Sequence, residues 1–130
     1  MAEATTVKRR PKHLDLAKIR LPLPGFVSIL HRVSGAGLFV FGLPLLLWIF
    51  GASLGTAEQV DQCRAVLANP LIKLFLLGLL WAYLHHFCAG IRFLFLDMHK
   101  GIELKTARIT AGVVLAVSLG LTFAIGVFIW

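Results

Sequence analysis

The chain has 130 residues, is 58% hydrophobic and carries a net charge of +7 at pH 7, with a mean hydropathy of +0.87. These values exclude an ordinary soluble domain and point to an all-α membrane protein. The basic residues are laid out around apolar runs rather than gathered into one patch, which argues against nucleic acid as a partner.

In chain order, residues 1–25 read as a basic cytoplasmic arm, without the apolar core and small-residue cleavage site of a secretory signal. Residues 26–130 read as one anchor domain. No full charge occurs within 33–57, 74–91 or 109–130, and each stretch is close to the ~18 to 20 apolar residues that cross a bilayer as helix. Three transmembrane helices are expected, over about 28–52, 71–97 and 108–130. The runs are continuously apolar and do not alternate, which argues against a strand barrel.

Pro22, Pro24 and Gly25 interrupt the chain before the first span, so that span is expected to begin near Phe26 or Ser28. Pro44 predicts a bend inside it. A short interfacial helix is expected over 58–67, and Asn69-Pro70 opens the second span. Seven basic residues precede or open the first span (Lys8, Arg9, Arg10, Lys12, Lys18, Arg20, Arg32), and Lys100, Lys105 and Arg108 lie between the second and third. The intervening loop offers only Arg64 and Lys73 against Glu58 and Asp61. The positive-inside rule therefore puts the N-terminus in the cytoplasm, with Trp48 and Trp130 near the outer interface; a bacterial inner membrane fits best, and a mature mitochondrial chain is the alternative. Cys63 and Cys88 fall in different regions and predict no disulfide, and there is no C-x-x-C-H for covalent haem attachment.

Polar groups inside the second span carry the chemistry, because each is costly in lipid. In "YLHHFCAGIRFLFLD" (83–97), His86, Gly90, Phe93 and Asp97 share one helix face, while His85 and Arg92 mark a neighbouring one. His86 stands eleven residues before Asp97, roughly 16 Å along the helix and hence near mid-membrane. Such an imidazole is either hydrogen-bonded to a facing helix or an axial ligand to haem held between helices. Gly90 would admit a flat macrocycle or a partner backbone. No other histidine is expected at the depth of His86, since His31 and His99 lie towards the cytoplasmic side, and a second axial ligand would then come from another chain.

The first span carries "SILHRVSGAG" (28–37). Ser28 and Arg32 are four residues apart and stack on one face, with Gly35, Phe39 and Gly42 continuing the stripe and His31 adjacent. Arg32 is either a snorkelling anchor or part of a polar pocket with His31, Arg92 and Asp97. Such a pocket suits haem propionates, paired through His31, Arg32 or Arg92. It also suits a quinone, with Ser28 donating to a carbonyl, Arg32 stabilising negative charge and Asp97 assisting proton delivery.

Three stretches together carry a family resemblance: "RPKHLDL" (10–16), "SILHRVSG" (28–35) and "HFCAGIRFLFLD" (86–97), the last fitting an H-x-x-x-G-I-R…D signature. The chain resembles the cytochrome b556 membrane-anchor family of succinate dehydrogenase, the larger of two small anchors in respiratory complex II. The resemblance implies half of a heterodimeric haem-binding helix bundle, with haem b shared with a second small anchor subunit. It also implies electrons arriving from an iron-sulfur subunit and a flavoprotein subunit, and ubiquinone as substrate. On that basis His86, rather than His85, is the expected ligand to haem iron. Ser28, Arg32 and Asp97 match the quinone positions, and His31, Arg32 and Arg92 are expected near the propionates. One departure is Phe93, where some members carry a second histidine. Two other classes compete with this reading. A haem-free quinone-binding anchor of the fumarate reductase kind would lack a use for His86. A small proton-relay transporter would need paired carboxylates deep in the spans, whereas Asp97 lies at an edge.

Overall fold

The structure is a computed structural model that describes residues 19–129. Most of the N-terminal arm, including the 10–16 motif, and Trp130 lie outside the described residues. Among the described residues every regular element is helical: α1 (Leu23–Gly37), a π-helical turn (Leu38–Gly42), α2 (Leu43–Ser53), α3 (Ala57–Ala68), α4 (Pro70–Asp97) and α5 (Leu104–Ile129). Three continuous helical runs are long and apolar enough to span a membrane: Leu23–Ser53, Pro70–Asp97 and Leu104–Ile129.

The first run starts at Leu23, ahead of the position expected from its prolines. Pro22 caps the helix and Pro24 occupies its first turn, where a missing N–H costs nothing because those donors have no intrahelical acceptor. The Pro22 carbonyl accepts from Gly25 N at 2.9 Å and Phe26 N at 3.1 Å. The prolines therefore open the helix instead of holding it off. This early start lengthens the helical path from the membrane edge to His31.

Pro44 sits in the first turn of α2, directly after the π-helical turn. Its ring cannot donate and crowds the carbonyl four residues earlier. Widening the preceding turn accommodates both effects, with Leu43 N donating to the Leu38 carbonyl five residues back. Beyond this point the span leaves the bundle: α1 packs on α4 and α5, whereas α2 packs only on the π-turn and α3. No residue of α2 is buried.

At the opposite end of the bundle from the α4–α5 connection, α3 is started by a capping box. Gln59 N donates to Thr56 Oγ1 at 3.4 Å, and Thr56 N donates to Gln59 Oε1 at 2.9 Å. Asn69 then caps α4, its Oδ1 accepting from Leu71 N at 2.9 Å with Pro70 in the first turn. α4 ends in a Schellman arrangement: Lys100 N reaches the Phe95 carbonyl at 3.0 Å and His99 N the Leu96 carbonyl at 2.9 Å. The left-handed position of that motif is held by His99 at φ 58°. Both cysteines are free.

The core lies where α1, α4 and α5 meet, and consists of Val27, Ala89, Ala111 and Val114, flanked by Cys88, Phe93 and Leu115. Small side chains dominate because close backbone approach, rather than water exclusion, drives helix association in lipid. The buried residues of α4 are His85, Ala89 and Arg92. They form a seam with helical spacing that faces the chain's own helices.

Candidate functional site

The seam just described separates the two adjacent histidines of α4. His85 is fully buried between helices beside the Val27 backbone, and neither of its ring nitrogens makes a hydrogen bond of good geometry. Trp81 lies beside it with ring centroids 5.4 Å apart, and its indole nitrogen is likewise unpartnered. His86, about 100° further round the helix, is only half-buried and lies on the face that also carries Gly90, Phe93 and Asp97.

His86 is held from α1. Its Nδ1 lies 2.9 Å from the His31 carbonyl oxygen and 3.3 Å from Ser34 Oγ. A carbonyl only accepts, so Nδ1 carries the proton and donates. Ser34 is buried, and its own proton goes to the same carbonyl at 2.9 Å. The tautomer that follows leaves the lone pair on Nε2, the form in which an imidazole binds a metal, and fixes the ring through its other nitrogen.

The His31 ring stacks on His86, with centroids 4.1 Å apart and planes inclined by 9°, and touches Phe93 at 5.1 Å. His31 thus lies at the depth of His86, not nearer the cytoplasmic edge as the sequence suggested. The early start of α1 explains the difference. His31 is eight residues into α1, about 12 Å along it, against about 16 Å from the end of α4 to His86. Stacked rings hold their lone pairs in parallel planes, so the two cannot ligate one iron from opposite poles. The opening expected at Gly90 faces His31, whose Nε2 lies 3.7 Å from where a Cβ would stand. At Gly35 the fit is tighter: a Cβ there would meet His86 Cε1 at 2.7 Å and Nδ1 at 3.1 Å. Glycine is what lets α1 approach the ring.

Nearer the start of α1, Arg32 Nη2 donates to Ser28 Oγ at 3.2 Å. The structure therefore brings Ser28 and Arg32 together, with Arg32 next to His31 in the chain and Ser28 three residues before it. Asp97, the last residue of α4, is exposed and forms no ion pair with Arg32. Arg92 turns the other way. Its Nε donates to Thr110 Oγ1 at 3.1 Å and its Nη2 to the Ala107 carbonyl at 3.3 Å, both on α5. It shares only the Phe93 ring with the histidine pair, its Cζ lying 5.5 Å from the ring centroid.

Ser34 and Thr110 are the polar residues that sequence reasoning did not single out. Ser34 had a readable signal, being three residues after His31 and hence on its face. Thr110 had none, because its role depends on the pairing of α5 with α4.

Fold and site together define a three-span helical membrane subunit that carries a half-buried imidazole held from α1 and, on the same α1, a Ser28–Arg32 hydroxyl–guanidinium pair. The succinate dehydrogenase/fumarate reductase transmembrane subunit model matches residues 6–125, and the chain belongs to that family. Similar proteins are the succinate dehydrogenase cytochrome b556 subunits of three bacteria. That of Coxiella burnetii is 36% identical, over 94% of this chain and 98% of the relative. That of Rickettsia felis is 33% identical, over 92% of each. That of Paracoccus denitrificans is 34% identical, over 83% and 87%. With three apolar spans and bacterial relatives, the chain is a multi-pass protein of the bacterial inner membrane.

Proposed function

We propose that this chain is the cytochrome b anchor of a succinate:quinone oxidoreductase, sharing haem b with a second small anchor and forming part of the quinone-reduction site. The observation that supports the haem assignment is the bond from His86 Nδ1 to the His31 carbonyl at 2.9 Å, which leaves the lone pair on Nε2 of a half-buried ring. A haem shared with another chain needs a ligand that is not sealed between this chain's own helices, as the fully buried His85 is. His86 would therefore hold the haem iron from this chain, with the partner anchor supplying the other ligand. Bound there, the haem supplies one-electron storage beside the quinone.

His31 and Arg32 lie on the side from which propionates would be met, through charge-assisted bonds. Arg92, committed to α5, is left out of that set. At the quinone, Ser28 donates to a carbonyl oxygen while Arg32, already bonded to Ser28, stabilises the charge that develops on reduction. Asp97, exposed at the end of α4, connects the site to water for proton delivery. The N-terminus and the α4–α5 turn face the cytoplasm, where the iron-sulfur and flavoprotein subunits dock and succinate is oxidised. Ubiquinone is the acceptor.

The test is a dithionite-reduced minus oxidised spectrum of the complex co-expressed with its partner subunits, for wild type, His86→Ala and His85→Ala. Loss of a low-spin b-type spectrum in His86→Ala alone is expected. A wild-type complex that reduces quinone without any haem signal would leave a haem-free anchor as the better account.

A further inference from the structure

Ser34 stands three residues after His31 in α1 and is buried. Its hydroxyl has two polar neighbours: the His31 carbonyl at 2.9 Å, to which it donates, and His86 Nδ1 at 3.3 Å. A serine inside a helix often bonds a carbonyl of the preceding turn, as Ser118 does with Leu115 at 3.1 Å in α5. Ser34 differs from Ser118 in that the carbonyl it engages is the one that fixes the His86 ring.

A carbonyl oxygen has two lone pairs, and three donors converge on that of His31. The helical pattern of α1 assigns it the Gly35 N–H. The Ser34 hydroxyl and His86 Nδ1–H are the other two, both at 2.9 Å. The direct approach of His86 Nδ1 to Ser34 Oγ, at 3.3 Å, is longer than an ordinary N–H···O bond. Ser34 therefore acts on His86 mainly as a rival for the carbonyl and only weakly as a second acceptor.

An imidazole whose N–H is strongly bonded is a better electron donor through its other nitrogen, and such bonds are one of the protein's levers on haem potential. By drawing on the carbonyl, Ser34 holds that donation down. We propose that Ser34 is a positioning residue that sets the reduction potential of the haem held through His86, keeping it higher than the carbonyl alone would. The inference rests on the proposed role of His86. Removing the hydroxyl while the ring stays in place should favour the oxidised form.

The test is an equilibrium redox titration of the purified complete complex, followed at the b-type absorbance, for wild type, Ser34→Ala, Ser34→Thr and Ser34→Val. In Ser34→Ala the ratio of oxidised to reduced haem at a fixed ambient potential should rise about threefold, the equilibrium effect of one modest hydrogen bond. That is a potential about 28 mV lower for a one-electron couple, at about 59 mV per tenfold. Ser34→Thr keeps the hydroxyl and should stay near wild type. Ser34→Val has the same shape without it and should follow Ser34→Ala.

A potential unchanged or raised in Ser34→Ala overturns the proposal. So do equal potentials in Ser34→Thr and Ser34→Val, which would trace any shift to packing and not to the hydroxyl. Loss of the low-spin spectrum in Ser34→Ala overturns it as well, by making the hydroxyl a requirement for assembly. Ser34→Ala decides the matter alone if the branched variants fail to assemble. A wild-type complex without a b-type spectrum overturns the cytochrome reading and this inference with it, whereas a normal wild-type spectrum with unmoved potentials overturns this inference alone.

Discussion

Two glycines of the first span, Gly35 and Gly37, should respond to alanine in opposite directions. At Gly35 the new Cβ would stand 2.7 Å from His86 Cε1 and 3.1 Å from Nδ1, whereas carbon atoms settle about 3.5–4.0 Å apart. The ring must retreat by about 1 Å, which breaks the 2.9 Å bond to the His31 carbonyl and the stack on His31. Overpacking of this kind costs about 1–3 kcal/mol, offset by up to about 1 kcal/mol of helix propensity. Gly35→Ala is therefore destabilised by about 0–2 kcal/mol. At Gly37 nothing lies within 4 Å of the new Cβ, so alanine gains only the propensity, about 0.5–1 kcal/mol. The purified complex of each variant is heated and its thermal midpoint followed by haem absorbance and tryptophan fluorescence. The expected order is Gly37→Ala at or above wild type and Gly35→Ala below it, with a perturbed b-type spectrum only in the latter. Equal midpoints together with unaltered spectra in both would refute the claim that Gly35 seats the His86 ring.

The remaining predictions concern the seam and the helix ends. His85→Leu replaces a fully buried ring whose nitrogens make no hydrogen bond of good geometry, so the b-type spectrum should persist and the midpoint stay level or rise by the equivalent of about 1 kcal/mol; a lost spectrum would move the ligand to His85. Thr110→Val removes the acceptor of Arg92 Nε and should lower stability by about 1–3 kcal/mol, read as a reduced midpoint, with Thr110→Ser retaining most of it. His99→Gly relieves a positive φ of 58° and should raise the midpoint by the equivalent of about 1 kcal/mol, whereas His99→Val should lower it. Thr56→Ala breaks the capping box of α3 and should cost about 0.5–2 kcal/mol, seen as faster amide exchange over residues 57–60 with the haem spectrum unchanged.

Much of this was legible in the chain because membrane helices announce themselves by uninterrupted apolar length, and because one helix fixes which residues share a face. The division of α4 into a His85–Arg92 face and a His86–Asp97 face needed only the helical period. Which face is sealed and which is open depends on where α1 and α5 pack, and that is set by small residues such as Ala89 and Ala111, whose spacing occurs on several faces at once. In the sequence Pro22 and Pro24 look like interruptions, because proline stops a helix more conspicuously than it starts one. The resulting shift in the start of α1 is what misplaced His31 in depth.

The polar residues of α4 thus answer to two different surroundings. On the sealed face, Arg92 has found acceptors on α5 but no counter-charge among the described residues, and His85 makes no hydrogen bond of good geometry. On the half-buried face, His86 is fixed by a backbone carbonyl of α1 that Ser34 also engages, so its free nitrogen is oriented before anything binds. A residue kept only for helix packing gains nothing from such orientation, since either tautomer and many ring angles would satisfy one hydrogen bond to a neighbour. Constraint of the ring by a carbonyl, a stacked imidazole and a glycine together is what a ligand position needs, because a metal bond tolerates little error in the direction of its lone pair. These constraints support the proposed assignment of the half-buried His86, rather than the fully buried His85, as the functional member of the pair.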